Sequence, residues 1–264
     1  MSHTVMVVLV IFVLSVVMIM SGRGGGNFYI MALVLAGVPM HTASTTSQFI
    51  LFASALFGAM VFGKAKTMSW PLVFFFGGLN ASMAFVGGFA AHRFSGIALK
   101  IVLSVVMGVA GVAMLLPEKE ARKTAHPGFG YWNLVEGDNT YVINLWVAVP
   151  LTVATGFFSG MVGISGGSFL VPLMVVACGV PMRTAVGTAT SMLAATALAG
   201  FCGNALHGGF YAPLAIPSGA AAIAGGLLGG KVALKTKPKH LKTFSGILTI
   251  VAAIFMMVNA LSGK

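Results

Sequence analysis

Apolar residues in this chain run on without alternation, and the pattern breaks at two matching places. Long apolar runs cover 4–20, 41–62, 70–91 and 94–116, then 141–162, 183–206, 213–230 and 243–261. Two short apolar pieces, 28–37 and 168–179, each follow a glycine-rich loop. The first loop reads Ser21-Gly22-Arg23-Gly24-Gly25-Gly26-Asn27, and the second reads Gly163-Ile164-Ser165-Gly166-Gly167-Ser168. A helix crosses a bilayer with roughly 20 apolar residues. The long runs therefore predict membrane-crossing helices, and each short piece covers about half the bilayer core. A transmembrane barrel would alternate polar and apolar residues, which these runs do not. Opened backbone inside a membrane must face a ligand, water or protein. Paired interruptions at matching positions thus point to a substrate site.

The halves align at an offset of 142 (179 − 37). Gly24 and Gly25 fall on Gly166 and Gly167, and Gly37-Val38-Pro39-Met40 on Gly179-Val180-Pro181-Met182. Thr42-Ala43 falls on Thr184-Ala185, Thr46 on Thr188, Pro71-Leu72 on Pro213-Leu214, and Gly87-Gly88 on Gly229-Gly230. After an eight-residue gain, Phe94-Ser95-Gly96-Ile97 meets Phe244-Ser245-Gly246-Ile247. So many Gly, Pro and Thr held in register mark a duplication. The chain divides into a first repeat (1–116), a polar linker (117–140) and a second repeat (141–264). The linker reads as a solvated connector whose Tyr131 and Trp132, with Tyr141 and Trp146 just beyond, suit a membrane interface.

Composition sharpens the class. The chain is 58% hydrophobic and 7% charged, with mean hydropathy +1.00. No soluble core needs that much apolar surface. Run 4–20 has no basic stretch before it and has a counterpart at 141–162, so it reads as mature structure rather than a leader. The net charge of +11 would suggest nucleic acid in a soluble protein. Here the basic residues flank apolar runs, so they set orientation and no nucleic-acid partner is expected. Glu118, Glu120, Glu136 and Asp138 all fall in or beside the linker, and none lies in an apolar run. That argues against a carboxylate-based cation pump or channel. Cys178 and Cys202 have neither metal-ligand nor redox spacing and read as packing residues.

Charge also orients the repeats. Lys231, Lys235, Lys237, Lys239 and Lys242 form the densest basic cluster and mark the cytoplasmic side. If each short piece folds back on the run before it, each half crosses an odd number of times and the halves are inverted. Lys64, Lys66, Lys119, Arg122, Lys123 and Arg183 then also lie inside, and only Arg93, Lys100 and Lys264 dissent. Parallel halves would move Lys64, Lys66, Lys119, Arg122 and Lys123 outside. The expected fold is an all-α polytopic membrane protein of two inverted repeats. Each repeat is a long helix and a short re-entrant half-helix, followed by three transmembrane helices.

A helix N-terminus carries partial positive charge and unpaired N–H groups. The two short helices start beside Asn27 and Ser168, directly after glycines that let backbone approach a ligand. Two such starts brought together form an anion cradle. Its residues would be Gly24, Gly25, Gly26 and Asn27 with Ser165, Gly166, Gly167 and Ser168. Arg23 is the only charged residue in either loop. Its planar donors suit sulfite, sulfonate or phosphate oxygens; alternatively it snorkels to an interface or caps carbonyls. Thr46, Gln48, Thr188 and Ser191 follow in the next helices, where hydroxyls and amides either hold an oxyanion or pack the helices. Asn80 serves a ligand or an interhelical hydrogen bond equally well. His41 and His207 lie at run ends and read as interfacial. No nucleophile–base pair, phosphate-binding lysine or metal-ligand spacing is present, so an enzyme, a cofactor and a metal are not expected.

The stretch Gly163-Ile-Ser-Gly-Gly-Ser-Phe-Leu-Val-Pro172, then Gly179-Val-Pro-Met and Ala185-Val-Gly-Thr188-Ala-Thr-Ser191, resembles the TauE/SafE sulfite exporter family. The first-half copy is degenerate, with Asn27 and Tyr29-Ile30 where Phe169 and Val171-Pro172 stand. The resemblance implies transport of sulfite, organosulfonates or related sulfur anions across the bacterial cytoplasmic membrane. The expected activity is thus secondary transport of a small sulfur-containing anion. The expected partners are that anion and the lipid bilayer, and the reading is compatible with a homo-oligomer. An anion channel using the same cradle, or a non-transporting assembly or sensor subunit, are the alternatives.

Overall fold

The computed structural model of the chain describes residues 2–115, 128–136, 139–164, 166–176, 178–236, 250–251, 253–258 and 260–261. The first repeat forms α1 (Ser2–Met20), α2 (Gly26–Leu35), α3 (Met40–Lys64), α4 (Trp70–Arg93) and α5 (Gly96–Leu115). Then come β1 (Tyr131–Glu136), β2 (Asn139–Asn144), α6 (Leu145–Val162), α7 (Gly167–Val176), α8 (Met182–Ala205) and α9 (Ala212–Ala233). Described residues between 250 and 261 are helical, and Met256 joins the core. The rest of the last predicted run and linker residues 117–127 lie outside the described residues. Helices α3, α4, α6, α8 and α9 are each long and apolar enough to cross a membrane. The chain is a mostly helical, multi-pass membrane protein.

The duplicated Gly-Val-Pro-Met is a stop, a turn and a start. Gly37 and Gly179 take left-handed φ values of 84° and 65°, a conformation glycine adopts at helix ends without strain. The Val38 N–H donates back to the Leu33 carbonyl, and the Val180 N–H to Met174. Pro39 and Pro181 then cap the next helices at φ −56° and −55°, the value their rings impose. Thr4 and Val7 of α1 and Leu35 at the end of α2 line one cavity, so the short helix doubles back beside the long one.

Packing repeats at the sequence offset. Helix α1 packs on α9 as α6 packs on α4; α3 packs on α9 as α8 packs on α4; and α3 and α8 pack on each other at the centre. Gly229 lies against Val16 and Ile19, and Gly87 against Phe157 and Met161, of which Ile19 and Met161 are equivalent. Small residues at these crossings let backbones approach where lipid offers no hydrophobic drive. Hydrogen bonds repeat too. Thr46 Oγ1 accepts from the Tyr211 N–H at 3.2 Å, and Thr188 Oγ1 accepts from the Ser69 N–H at 3.0 Å. Each satisfies an orphan donor where α9 and α4 begin.

The linker and its boundary differ from the sequence expectation. Strands β1 and β2 pair antiparallel, from Tyr131 opposite Asn144 to Glu136 opposite Asn139. The run expected to turn helical at 141 is therefore strand until Asn144. The Asn144 carboxamide oxygen then accepts from the Trp146 N–H and caps α6. The physical reason lies in Tyr-Trp-Asn-Leu-Val-Glu and Asn-Thr-Tyr-Val-Ile-Asn, both rich in aromatic and β-branched residues and separated by Gly137-Asp138. That composition is a hairpin signature.

Candidate functional site: the meeting of the glycine loops

After Met20 the chain turns sharply: the Gly22 N–H donates to Ile19 and the Arg23 N–H to Met18. Gly22 then lies against Val186 of α8, and Gly163 lies against Ser44 of α3. Each loop thus rests on the long helix of the other half. The two loops also touch. A Cβ on Gly167 would fall onto the Arg23 backbone, 2.5 Å from its Cα. Residues 21–30 are buried throughout, and Arg23 is only 1% exposed. The starts of α2 and α7, at Gly26 and Gly167, accordingly lie deep in the protein at this contact. Gly24, Gly25, Gly26, Asn27 and Gly166 are buried there with them. Ser165 and the Ser168 side chain lie outside the described residues.

Side chains around the second loop serve the end of α6. The last carbonyls of a helix have no partner within it. Ser47 Oγ donates to the Gly163 carbonyl at 2.9 Å. Gln48 Nε2 donates to Ser159 at 3.1 Å and to Gly160 at 2.8 Å. Asn204 Nδ2 donates to Gln48 Oε1, to the Gly160 carbonyl and to the Gly200 carbonyl. The Gln48 amide thereby ties α3, α6 and α8 together. Asn80 has the interhelical role: its Nδ2 donates to Thr155 Oγ1, and Thr196 Oγ1 donates to its Oδ1. Ser191 Oγ donates to Gly187 and approaches Met68 Sδ.

The residues singled out in the sequence thus divide by place. Arg23, Gly24–Asn27, Gly166 and Gly167 gather at the loop contact, and Gln48 stands beside the second loop. Asn80 binds between helices, and Thr46 and Thr188 face the starts of α9 and α4. Sequence reasoning passed over Asn204 and Ser159, whose hydroxyl donates to the Ile164 carbonyl. Asn204 was open to the argument that picked out Asn80, an amide inside an apolar run. It also passed over His92, whose ring stacks between His41 and His207 with centroids 5.2 and 4.3 Å away. The two histidines expected at run ends are there, but packed on a third.

A cavity of about 630 Å³ opens at the histidine end, between α1, α2, α3 and α9. Its walls are Val7, Leu35, Val38 and Leu214, with Thr4, Thr42 and Tyr211 as the polar lining. Among the described residues, no charged side chain lines it.

Known proteins place this arrangement. The chain is 24% identical over 247 residues to the probable membrane transporter protein YunE of Bacillus subtilis, covering 87% of this chain and 88% of that one. It is 22% identical to a probable membrane transporter protein of Methanocaldococcus jannaschii, covering 96% and 95%. A third, from Xylella fastidiosa, is 23% identical with 89% and 87% covered. The family model described as sulfite exporter TauE/SafE matches residues 7–256, which include both glycine loops and both Gly-Val-Pro-Met turns. The chain belongs to the TauE/SafE sulfite exporter family.

Proposed function

We propose that this protein is a secondary transporter that moves a small sulfur-containing anion, sulfite or an organosulfonate, across the bacterial cytoplasmic membrane. The anion is held where the two glycine loops meet. The observation that supports this reading is the contact of Gly167 with the Arg23 backbone, which brings the two glycine loops that precede the short helices together at a residue whose side chain is buried. Helix starts and guanidinium donors both favour oxyanions. The family and the names of the relatives support membrane transport as the activity class.

The same proposal includes inverted repeats. His41 at the start of α3 and His207 just after α8 both stack on His92, which favours equivalent helices running in opposite directions. At the other end, Arg183 at the start of α8 donates to the Leu234 carbonyl beyond α9. The hairpin end, with Lys64, Arg183 and Lys231, is then cytoplasmic, and the cavity end faces outward.

The test is a thermal-shift panel of sulfite, sulfate, taurine, sulfoacetate and thiosulfate on the purified protein. At least one sulfur anion is expected to raise the midpoint. Arg23→Ala should abolish that shift while the protein stays monodisperse, and Arg23→Lys should restore it only partly, because lysine lacks the planar fork. An unchanged shift in Arg23→Ala would remove Arg23 from the site. In proteoliposomes, saturation and counterflow mark a transporter, whereas uncoupled flux that follows the gradient marks a channel.

A further inference from the structure

The positions that line the cavity at the histidine end have equivalents at the other end, and some of those are buried. Shifting the cavity lining by 142 turns Val7 into Val149, Ala36 into Cys178, Val38 into Val180 and Leu214 into Leu72. Ala36 and Tyr211 are exposed at the cavity, whereas their counterparts Cys178 and Ser69 are buried; Val38 and Leu214 are buried as Val180 and Leu72 are. Cys178, Val180 and Leu72 belong to one apolar cluster with Leu134, Tyr141 and Ile143 of the β-hairpin. Trp132 of β1 meets the ring of Phe75 at 5.3 Å. The hairpin's buried side chains therefore lie in the same cluster as the second-repeat positions that correspond to the cavity lining.

An isolated two-stranded hairpin is marginal in water, so its order depends on its seat. At its base the Leu145 N–H donates to the Gly130 carbonyl, and Trp146 Nε1 donates to the Phe129 carbonyl. Phe75 lies in a π-helical turn of α4, Val73–Gly77. Such turns interrupt the regular ladder and recur where helices do work.

We propose that the β1–β2 hairpin is a gate. Seated, it closes the second-repeat vestibule while the equivalent first-repeat vestibule stands open; during turnover it lifts off. The word turnover rests on the transporter reading; the closed seat does not.

Native Cys178 reports the seat. Its thiol is buried in the apolar cluster that Leu134, Tyr141 and Ile143 of the hairpin complete. In detergent-purified Cys202→Ser protein, Cys178 should react with a maleimide about a hundredfold slower than a cysteine at the open counterpart, made by Ala36→Cys in a Cys178→Ser, Cys202→Ser background. Leu134→Asp should speed Cys178 about tenfold or more and leave the Ala36→Cys rate unchanged. If Leu134→Asp is not monodisperse, Trp132→Ala gives the same reading with a smaller rise. Equal rates at the two positions, or no acceleration in a folded hairpin variant, overturn the gate.

A second arm reads motion. Phe75→Cys and Trp132→Cys, in the background without native cysteines, are joined by a short bis-maleimide, and excess reagent is removed. Sulfoacetate counterflow in proteoliposomes should stop after bridging and persist after N-ethylmaleimide. Undiminished counterflow in the bridged protein overturns the gate. Absence of sulfoacetate counterflow in the unbridged protein counts against the sulfonate reading instead, and the Cys178 rates then decide the gate.

Discussion

Ala36 and Cys178 occupy equivalent positions in the two halves and have opposite surroundings. One looks into an open cavity, and the other is buried in the apolar cluster that the hairpin shares. Elsewhere the halves agree closely. The same helix pairs pack, Gly87 and Gly229 meet the equivalent Met161 and Ile19, and Thr46 and Thr188 accept from equivalent backbone donors. The helical framework therefore follows the internal repeat, and the departure lies beside the hairpin that precedes the second repeat. Symmetric packing lets two equivalent recesses exist; the linker decides which one is filled.

The glycine loops provide the harshest way to break that framework. A side chain at Gly167 meets the Arg23 backbone, which cannot turn aside. A side chain at Gly25 meets the ring of Tyr29 on its own short helix. Gly167→Val should cost about 3 kcal/mol or more in stability, and Gly25→Val less, because overpacking against backbone relaxes least. Both should lose transport. Detergent-denaturation midpoints and counterflow on the monodisperse fraction measure the pair. A Gly167→Val protein of wild-type stability would mean that the loops do not touch, and normal transport in both variants would end the cradle proposal.

Filling the two recesses sharpens the comparison directly. Cys178→Trp forces bulk beneath a seated hairpin and should cost about 1–3 kcal/mol. Ala36→Trp places the same bulk into an open cavity of about 630 Å³ and should stay within about 0.5 kcal/mol of wild type. Equal costs would mean that both recesses are equally open or equally filled. The readout is again the midpoint, with Trp emission reporting a buried ring at 178 and a wetter one at 36.

How much of this was legible beforehand follows from the kind of signal each part leaves. The membrane helices and the duplication were plain, because apolar runs and registered glycines are local in sequence. The short helices' starts were legible for the same reason. The hairpin was missed although Tyr131–Glu136 alternates and Gly137-Asp138 separates it from a β-branched partner run. Its apolar residues merged with the run that follows, and the polar surroundings suggested a plain connector. The contact of Gly167 with Arg23 was expected only through the pseudo-twofold relation, since nothing local joins residues so far apart. The roles of Gln48 and Asn204 were not legible at all. They depend on where α6 ends in space, which places unpaired carbonyls beside α3 and α8.

The smallest effect separates two meanings of one residue type. Thr46 and Thr188 were expected at the ligand, and each hydroxyl here accepts a backbone N–H at the start of a helix. Replacing each by valine keeps the shape and removes the acceptor, leaving a donor unsatisfied. The Ser69 N–H pair with Thr188 is buried, whereas the Tyr211 pair with Thr46 is only partly so. Thr188→Val should therefore cost about 1–2 kcal/mol and Thr46→Val about half of that, because an unmet donor costs most where water cannot reach it. Anion-induced thermal shifts should survive in both. If stability is unchanged and the shift disappears, the hydroxyl holds the anion rather than the helix start. Loss at one position only would carry the asymmetry of the two ends into the binding site itself.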